Sequence, residues 1–223
     1  MERQFDTQLD EIRGLILSMG GLVEKALEDA IRALIQRDQE RFEKVHQIED
    51  KINEDHVRVD TLCLAFLAKQ GPVARDLRFI VSVIKINSDL ERMGDQCVNI
   101  AYTGKDYLGR QPVAQLQDID TMSVIVRGMV KDSLDSFVRG DVEKAQEILR
   151  LDDEVDALKA KVFNELMAFV KAHPSHAEQI EGALDLILIA RNLERLGDHA
   201  TNIAEDVIFV FTGKDVRHGG KYS

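Results

Sequence analysis

Leu90-Glu91-Arg92-Met93-Gly94-Asp95 returns later in the chain as Leu193-Glu194-Arg195-Leu196-Gly197-Asp198. Asn99-Ile100-Ala101 follows the first stretch and Asn202-Ile203-Ala204 the second, and Glu194 lies 103 residues after Glu91, as Asn202 does after Asn99. The same offset sets Ile48-Glu49-Asp50-Lys51-Ile52-Asn53 against Leu151-Asp152-Asp153-Glu154-Val155-Asp156. It also pairs Asp38 with Asp141, Glu40 with Glu143 and Phe66 with Phe169. A register held from position 38 to position 101 is the mark of a tandem duplication.

Each copy reads as three helical stretches. Phe5, Leu9, Ile12, Ile16, Leu22, Leu27, Ile31 and Leu34 keep helical spacing, with Gly20-Gly21 expected to bend that helix. Asp38 is the expected N-cap of a second helix carrying Phe42, Val45, Ile48, Ile52, Val59, Leu62 and Phe66, which Gly71-Pro72 ends. A third helix is expected from Val73 to Tyr102, before Gly104. The second copy repeats the plan: Ile119 to Val138 with a stop at Gly140, then Asp141 to Lys171, a break at His173-Pro174, and a last helix to Phe211. Gly104 to Gln117, with Gly109 and Pro112, reads as the linker. Short connections force neighbouring helices antiparallel, with their apolar stripes buried together. The expected fold is all-α: two tandem, duplicated antiparallel three-helix bundles, over residues 1–108 and 114–216.

Composition agrees with this reading. The chain has 223 residues, 44% of them hydrophobic and 31% charged, enough for a packed core and too apolar for disorder. Aromatics make up 5% with no Trp, poor material for a sandwich or barrel. A net charge of −11 leaves no broad basic surface, so no direct nucleic-acid binding is expected. Cys63 and Cys97 fall in apolar periodic stretches and read as core residues. Met1 to Asp10 is polar, and the Leu184 to Ala190 stretch is far short of the ~20 residues that span a bilayer. A soluble, cytoplasmic protein is expected.

The repeated segments carry the chemistry. Glu91 and Asp95 stand one turn apart on a single helix face, with Asn87 and Asn99 extending the stripe; Glu194, Asp198 and Asn202 repeat it. The preceding helices offer Glu49 with Asn53, and Asp152 with Asp156, at the same i, i+4 spacing. Asp50 and Asp153 add to the negative field. Two facing helices of this kind bring several oxygen ligands toward one point, and a bound cation would remove their mutual repulsion. All-oxygen ligands suit Mg²⁺, Mn²⁺, Ca²⁺ or ferric iron better than structural zinc. The other reading is a solvated acidic face. Gly94 and Gly197, each just before the Asp, cost a helix about 1 kcal/mol relative to Ala and so point to close helix approach or ligand access.

Other motifs are weaker. Arg92 and Arg195, each following the Glu, read as surface arginines, with pairing to those carboxylates or to a partner's acidic surface as the other reading. His199 has Gln96 as its counterpart, which argues against a shared ligand role. Gly104-Lys105 and Gly213-Lys214 lack P-loop spacing and read as helix C-caps. Glu43 and His46 form one Glu-x-x-His, but Gln146 and Leu149 replace it in the second copy.

With its repeated Leu-Glu-Arg-x-Gly-Asp, the chain resembles the PhoU family, bacterial regulators of phosphate uptake and phosphate signalling. The resemblance implies two similar three-helix bundles and metal clusters of iron, zinc, manganese or magnesium held by the acidic pairs. Glu91 with Asp95, Glu194 with Asp198, and Asp152 with Asp156 match the family's pair, and Asn53 departs from it beside Glu49. It further implies a dimeric, non-enzymatic adaptor, peripheral to the membrane through its partners and negatively regulating the phosphate-starvation response. Those partners are the ATPase subunit of the phosphate ABC transporter and a phosphate-sensing histidine kinase, through its PAS and catalytic regions. The competing readings are a carboxylate-cluster oxidase or hydrolase, an iron store, and an accessory protein of a low-affinity phosphate carrier.

Overall fold

The computed structural model describes residues 2–70, 74–113 and 116–217. It consists of α1 (Glu2–Gln36), α2 (Gln39–Gln70), α3 (Ala74–Leu108), α4 (Gln117–Arg139), α5 (Val142–Ala172) and α6 (Ala177–Thr212), with no strand among the described residues. The expected stop at Gly71-Pro72, the start at Val73, the side chain of Phe5 and the outer boundaries at residues 1 and 114 lie outside what is described.

The duplication sets the seam. Val83, Ile86, Leu90, Met93, Cys97 and Ile100 are buried at alternating three- and four-residue steps along α3, and Leu186, Ile189, Leu193, Leu196, Ala200 and Ile203 follow the same steps along α6. α1 carries an equivalent stripe through Ile12, Ile16, Met19, Val23 and Leu27. Burial pushes the Cys63 thiol up to about 12 and raises that of Cys97 as well, as core positions should.

The ends of the helices follow local chemistry. Asp38 accepts a hydrogen bond from the Glu40 amide at 3.1 Å, and Asp141 accepts one from the Lys144 amide at 3.0 Å, so the duplicated N-caps both form. Gly140 (φ 69°) and Gly213 (φ 74°) take the left-handed conformation that closes α4 and α6. Arg37, a non-glycine at φ 55°, closes α1, and its guanidinium donates to the Leu108 carbonyl at the end of α3 (2.7 Å).

Three sequence expectations are corrected. Gly20-Gly21 does not interrupt α1; a Cβ at Gly20 would come within 1.9 Å of Leu134 Cδ1, so the glycine makes room for α4. Gly104 is not a cap. It lies inside α3, where a Cβ would meet the Phe42 ring at 2.7 Å, and the helix runs on to Leu108. The linker is correspondingly shorter, beginning after Leu108.

The two bundles are also more than tethered. α3 packs along α6 and α1 against α4, so one continuous apolar core runs through both copies. α3 and α6 are antiparallel: Lys85 meets Asp206 at 3.0 Å near one end, and Asp89 meets His199 at 2.8 Å further along. Phe79 of α3 stacks on Phe137 of α4, with ring centroids 5.3 Å apart. Among the described residues, no helix is long and apolar enough to cross a membrane.

Candidate functional site

The second-copy site is built between α5 and α6. Helical spacing puts Asp152 and Asp156 one turn apart on α5, and Glu194 and Asp198 one turn apart on α6. Gly197 keeps the helices close: a Cβ there would touch Asp152 Oδ1 at 3.6 Å and Val155 Cγ1 at 3.7 Å, and a longer side chain would fill the space beside the carboxylate.

Four carboxyl groups in this space repel one another. Desolvation, reinforced by the charges of Asp198, Asp156, Asp153 and Glu194, pushes the Asp152 carboxyl up to about 6. Desolvation and the neighbouring Glu194 and Asp156 raise Asp198 as well. The protein's own countercharge is Lys159, whose Nζ lies 2.5 Å from Glu194 Oε1 and 3.2 Å from Asp156 Oδ1. Sequence reading overlooked this lysine, because its first-copy counterpart is His56 and the repeat did not flag it.

The first-copy site has the same frame with different chemistry. Gly94 again lies at the helix contact, where a Cβ would be 3.2 Å from Ile52 Cδ1 and 3.7 Å from Glu49 Cγ. Glu49 is half-buried on α2 and accepts a hydrogen bond from the Asn53 amide. Glu91 is half-buried on α3, whereas Asp95 and Asn99 are exposed. Asn87 does not extend the stripe: it is fully buried, and its amide bonds the His56 carbonyl and Asp60 Oδ1, both at 3.0 Å.

Asn202 also leaves its stripe. Its amide donates to Asp89 on α3 at 3.3 Å, beside the His199–Asp89 contact, so it serves the interface between the copies. Arg92 and Arg195 are exposed and make no ion pair among the described residues. Glu43 pairs with Lys105 at 3.1 Å, and the His46 ring lies against Tyr102.

Among the described residues, no three His, Cys, Asp or Glu side chains stand together as a ready-made ion cage. The second-copy donors nevertheless fit a hard cation in kind. They are carboxylate oxygens, burial and like charges hold Asp152 and Asp198 back from ionising, and an ammonium already offsets part of their charge. In the first copy an amide replaces one carboxylate, which lowers the charge available to a cation.

The PhoU domain family matches residues 16–103 and 119–207, one domain in each copy. The chain is 37% identical to the phosphate-specific transport system accessory protein PhoU homolog of Pseudomonas putida, over 99% of this chain and 85% of that protein. It is 32% identical to the phosphate-specific transport system accessory protein PhoU of Escherichia coli K12, over 97% and 89%. The crystal structure of PhoU from Pseudomonas aeruginosa superposes with a TM-score of 0.89 at 35% identity, covering 94% of this chain and 99% of that one. The phosphate transport system regulatory protein PhoU from Streptococcus pneumoniae superposes with a TM-score of 0.88 at 29% identity, covering 95% and 99%. Matched in both of its copies and over nearly its whole length, the chain belongs to the PhoU family.

Proposed function

We propose that this chain is an accessory protein of phosphate-specific transport, acting as a non-enzymatic adaptor. It links the ATPase subunit of a high-affinity phosphate transporter to a sensor histidine kinase and holds the phosphate-starvation response off when phosphate is plentiful. The observation that carries this reading is the near-full-length likeness to proteins named as accessory and regulatory components of phosphate transport. An adaptor of this kind works from the cytoplasm as a homodimer, reaches the membrane through its partners, and acts by binding one state of a partner better than another.

The acidic pairs complete the proposal. Asp152, Asp156, Glu194 and Asp198 would hold a hard cation in the second copy, and Glu49, Asn53, Glu91 and Asp95 a weaker one in the first. Bound there, the ion supplies positive charge to carboxylates that otherwise repel. Graded addition of a chelator should empty the first-copy site earlier, and Asn53→Asp should bring the two losses together. Metal content unchanged after Glu194→Ala with Asp198→Ala would leave these residues a solvated acidic face.

The adaptor reading is tested by isolating the tagged protein from phosphate-replete cells. The transporter ATPase and a histidine kinase should co-purify, and deleting the gene should switch phosphate-starvation genes on constitutively. Absence of both partners together with normal repression in the deletion strain would refute it.

A further inference from the structure

The second copy carries an apolar cleft that the first does not share in kind. Between α5 and α6, next to the acidic cluster, Ala160, Phe163, Ile187 and Ala190 line a cleft of about 460 Å³, with the polar Asn164, Arg191 and the Lys159–Glu194 pair at its edge. The 103-residue offset places Asp60 where Phe163 stands, Asn87 where Ala190 stands and Ser88 where Arg191 stands. In the first copy these positions are closed by hydrogen bonds from Asn87 to Asp60 and to the His56 carbonyl, so α2 and α3 are joined there by polar contacts. One frame, inherited twice, has become a polar bridge in one copy and, in the other, an apolar cleft edged by the Lys159–Glu194 pair and by Arg191.

The apolar surface continues past the cleft. Phe163 is 47% exposed, and on α6 Leu184 and Leu188, either side of Ile187, are 49% and 45% exposed. Leu184, Leu188, Arg191 and Arg195 follow one another at steps of four, three and four residues, which puts two leucines and two guanidinium groups on one outward face. A small molecule filling the cleft would leave those leucines wet, whereas a helix laid along it would cover them. Charge points the same way. The protein carries a net −11, yet Arg191 and Arg195 have no acidic partner among the described residues. Lys159 is different, being engaged with Glu194 and Asp156.

We infer that this cleft is the docking site for an amphipathic helix of a protein partner, with apolar residues facing Phe163 and Ile187 and a carboxylate reaching Arg191. The inference rests on the adaptor reading, because it supplies the contact chemistry for one of the adaptor's partners. It assigns recognition of that partner to the second copy.

The test is a display selection on the full chain with a library of helix-forming peptides of about 16 residues, some four turns. Enriched peptides should carry apolar residues at i, i+3 or i+4, and i+7, followed by Asp or Glu. Their affinity should fall about tenfold or more with Phe163→Glu, and Arg191→Glu should shift selection toward Lys and Arg at the acidic position, the pattern of a desolvated anchor with a charged neighbour. Circular dichroism of both variants, which alter exposed side chains, confirms that the helices are retained. Peptides without acidic bias, or insensitive to both substitutions, overturn the inference. It is equally overturned if Phe163→Glu abolishes self-association or binding to phosphatidylglycerol vesicles in place of peptide binding, since a second copy or a lipid surface would then be the occupant. If the doubly substituted protein still co-purifies with the transporter ATPase and the kinase, the cleft assignment fails while the adaptor reading stands.

Discussion

Replacing Lys159 by Met takes the ammonium out of the second-copy acidic cluster and keeps most of its aliphatic stem. Lys159 Nζ is 2.5 Å from Glu194 Oε1, whose side chain is 19% exposed, and 3.2 Å from Asp156 Oδ1, whose side chain is 58% exposed. The exposed pair is screened by water and contributes only a few tenths of a kcal/mol. The half-buried, charge-assisted bond to Glu194 contributes most of the rest, for a total loss of about 1–2 kcal/mol. For a chain of this size that lowers the melting temperature by about 3–6 °C. The loss depends on pH. Lys159 opposes the desolvation and the Glu194 and Asp156 charges that raise the Asp198 carboxyl, so the loss on removing the ammonium grows as that carboxyl ionises. Lys159→Met should therefore cost more at neutral pH, where the carboxylates facing the ammonium are ionised, than in acid, where they take up protons. Millimolar Mg²⁺ or Mn²⁺ at neutral pH should restore more stability to the variant than to the parent, by supplying the charge that the ammonium no longer provides. Melting followed by circular dichroism, with chelator or with cation, reads all of this. An unchanged midpoint at neutral pH, or equal stabilisation of both proteins by cations, would refute the electrostatic account of the site.

Gly104→Ala should lower stability by about 1–2 kcal/mol despite the gain in helix propensity, since its Cβ would strike the buried Phe42 ring; Gly128→Ala, with nothing within 4 Å, should raise it by up to about 1 kcal/mol, both read by urea denaturation. Asp89→Ala removes the acceptor shared by His199 and Asn202 and should cost about 1–3 kcal/mol, whereas Asn192→Ala, at the pseudo-equivalent position, should cost less than about 0.5 kcal/mol. Asp152→Asn should stabilise the chelator-treated protein above about pH 6 and make no difference below about pH 4, a crossover visible in melting curves taken across that range.

Much of this architecture was legible in the chain. The repeat and the helical period of the apolar residues set the number of helices, their order and their buried faces, because burial follows the same steps in Val83 to Ile100 as in Leu186 to Ile203. Gly20 and Gly104 were misread for one reason: a glycine that bends or ends a helix and one that admits a neighbouring side chain look alike until the neighbour is known, here Leu134 and Phe42. The acidic pairs could be found from spacing, which is a property of one helix. What joins helices could not. Lys159 at the cluster, Asn87 turned inward and Asn202 drawn to Asp89 all depend on which faces meet across the bundle.

The packing of α3 against α6 carries a trace of how the chain arose. Two identical subunits meeting about a dyad must repeat every contact, so each charge placed on one side appears on the other. Here Asp89 faces His199, while the positions that would mirror them hold Asn192, whose amide turns to the Leu188 carbonyl of its own helix, and Gln96, whose buried Oε1 has no hydrogen-bond donor among the described residues. Lys85 meets Asp206, and their mirror positions are Leu188 and Thr103. Covalent fusion of two ancestral halves would have released each from self-complementarity. Once released, one half was free to keep a polar bridge between its helices while the other opened an apolar cleft, a division of labour that a symmetric pair of identical chains cannot adopt.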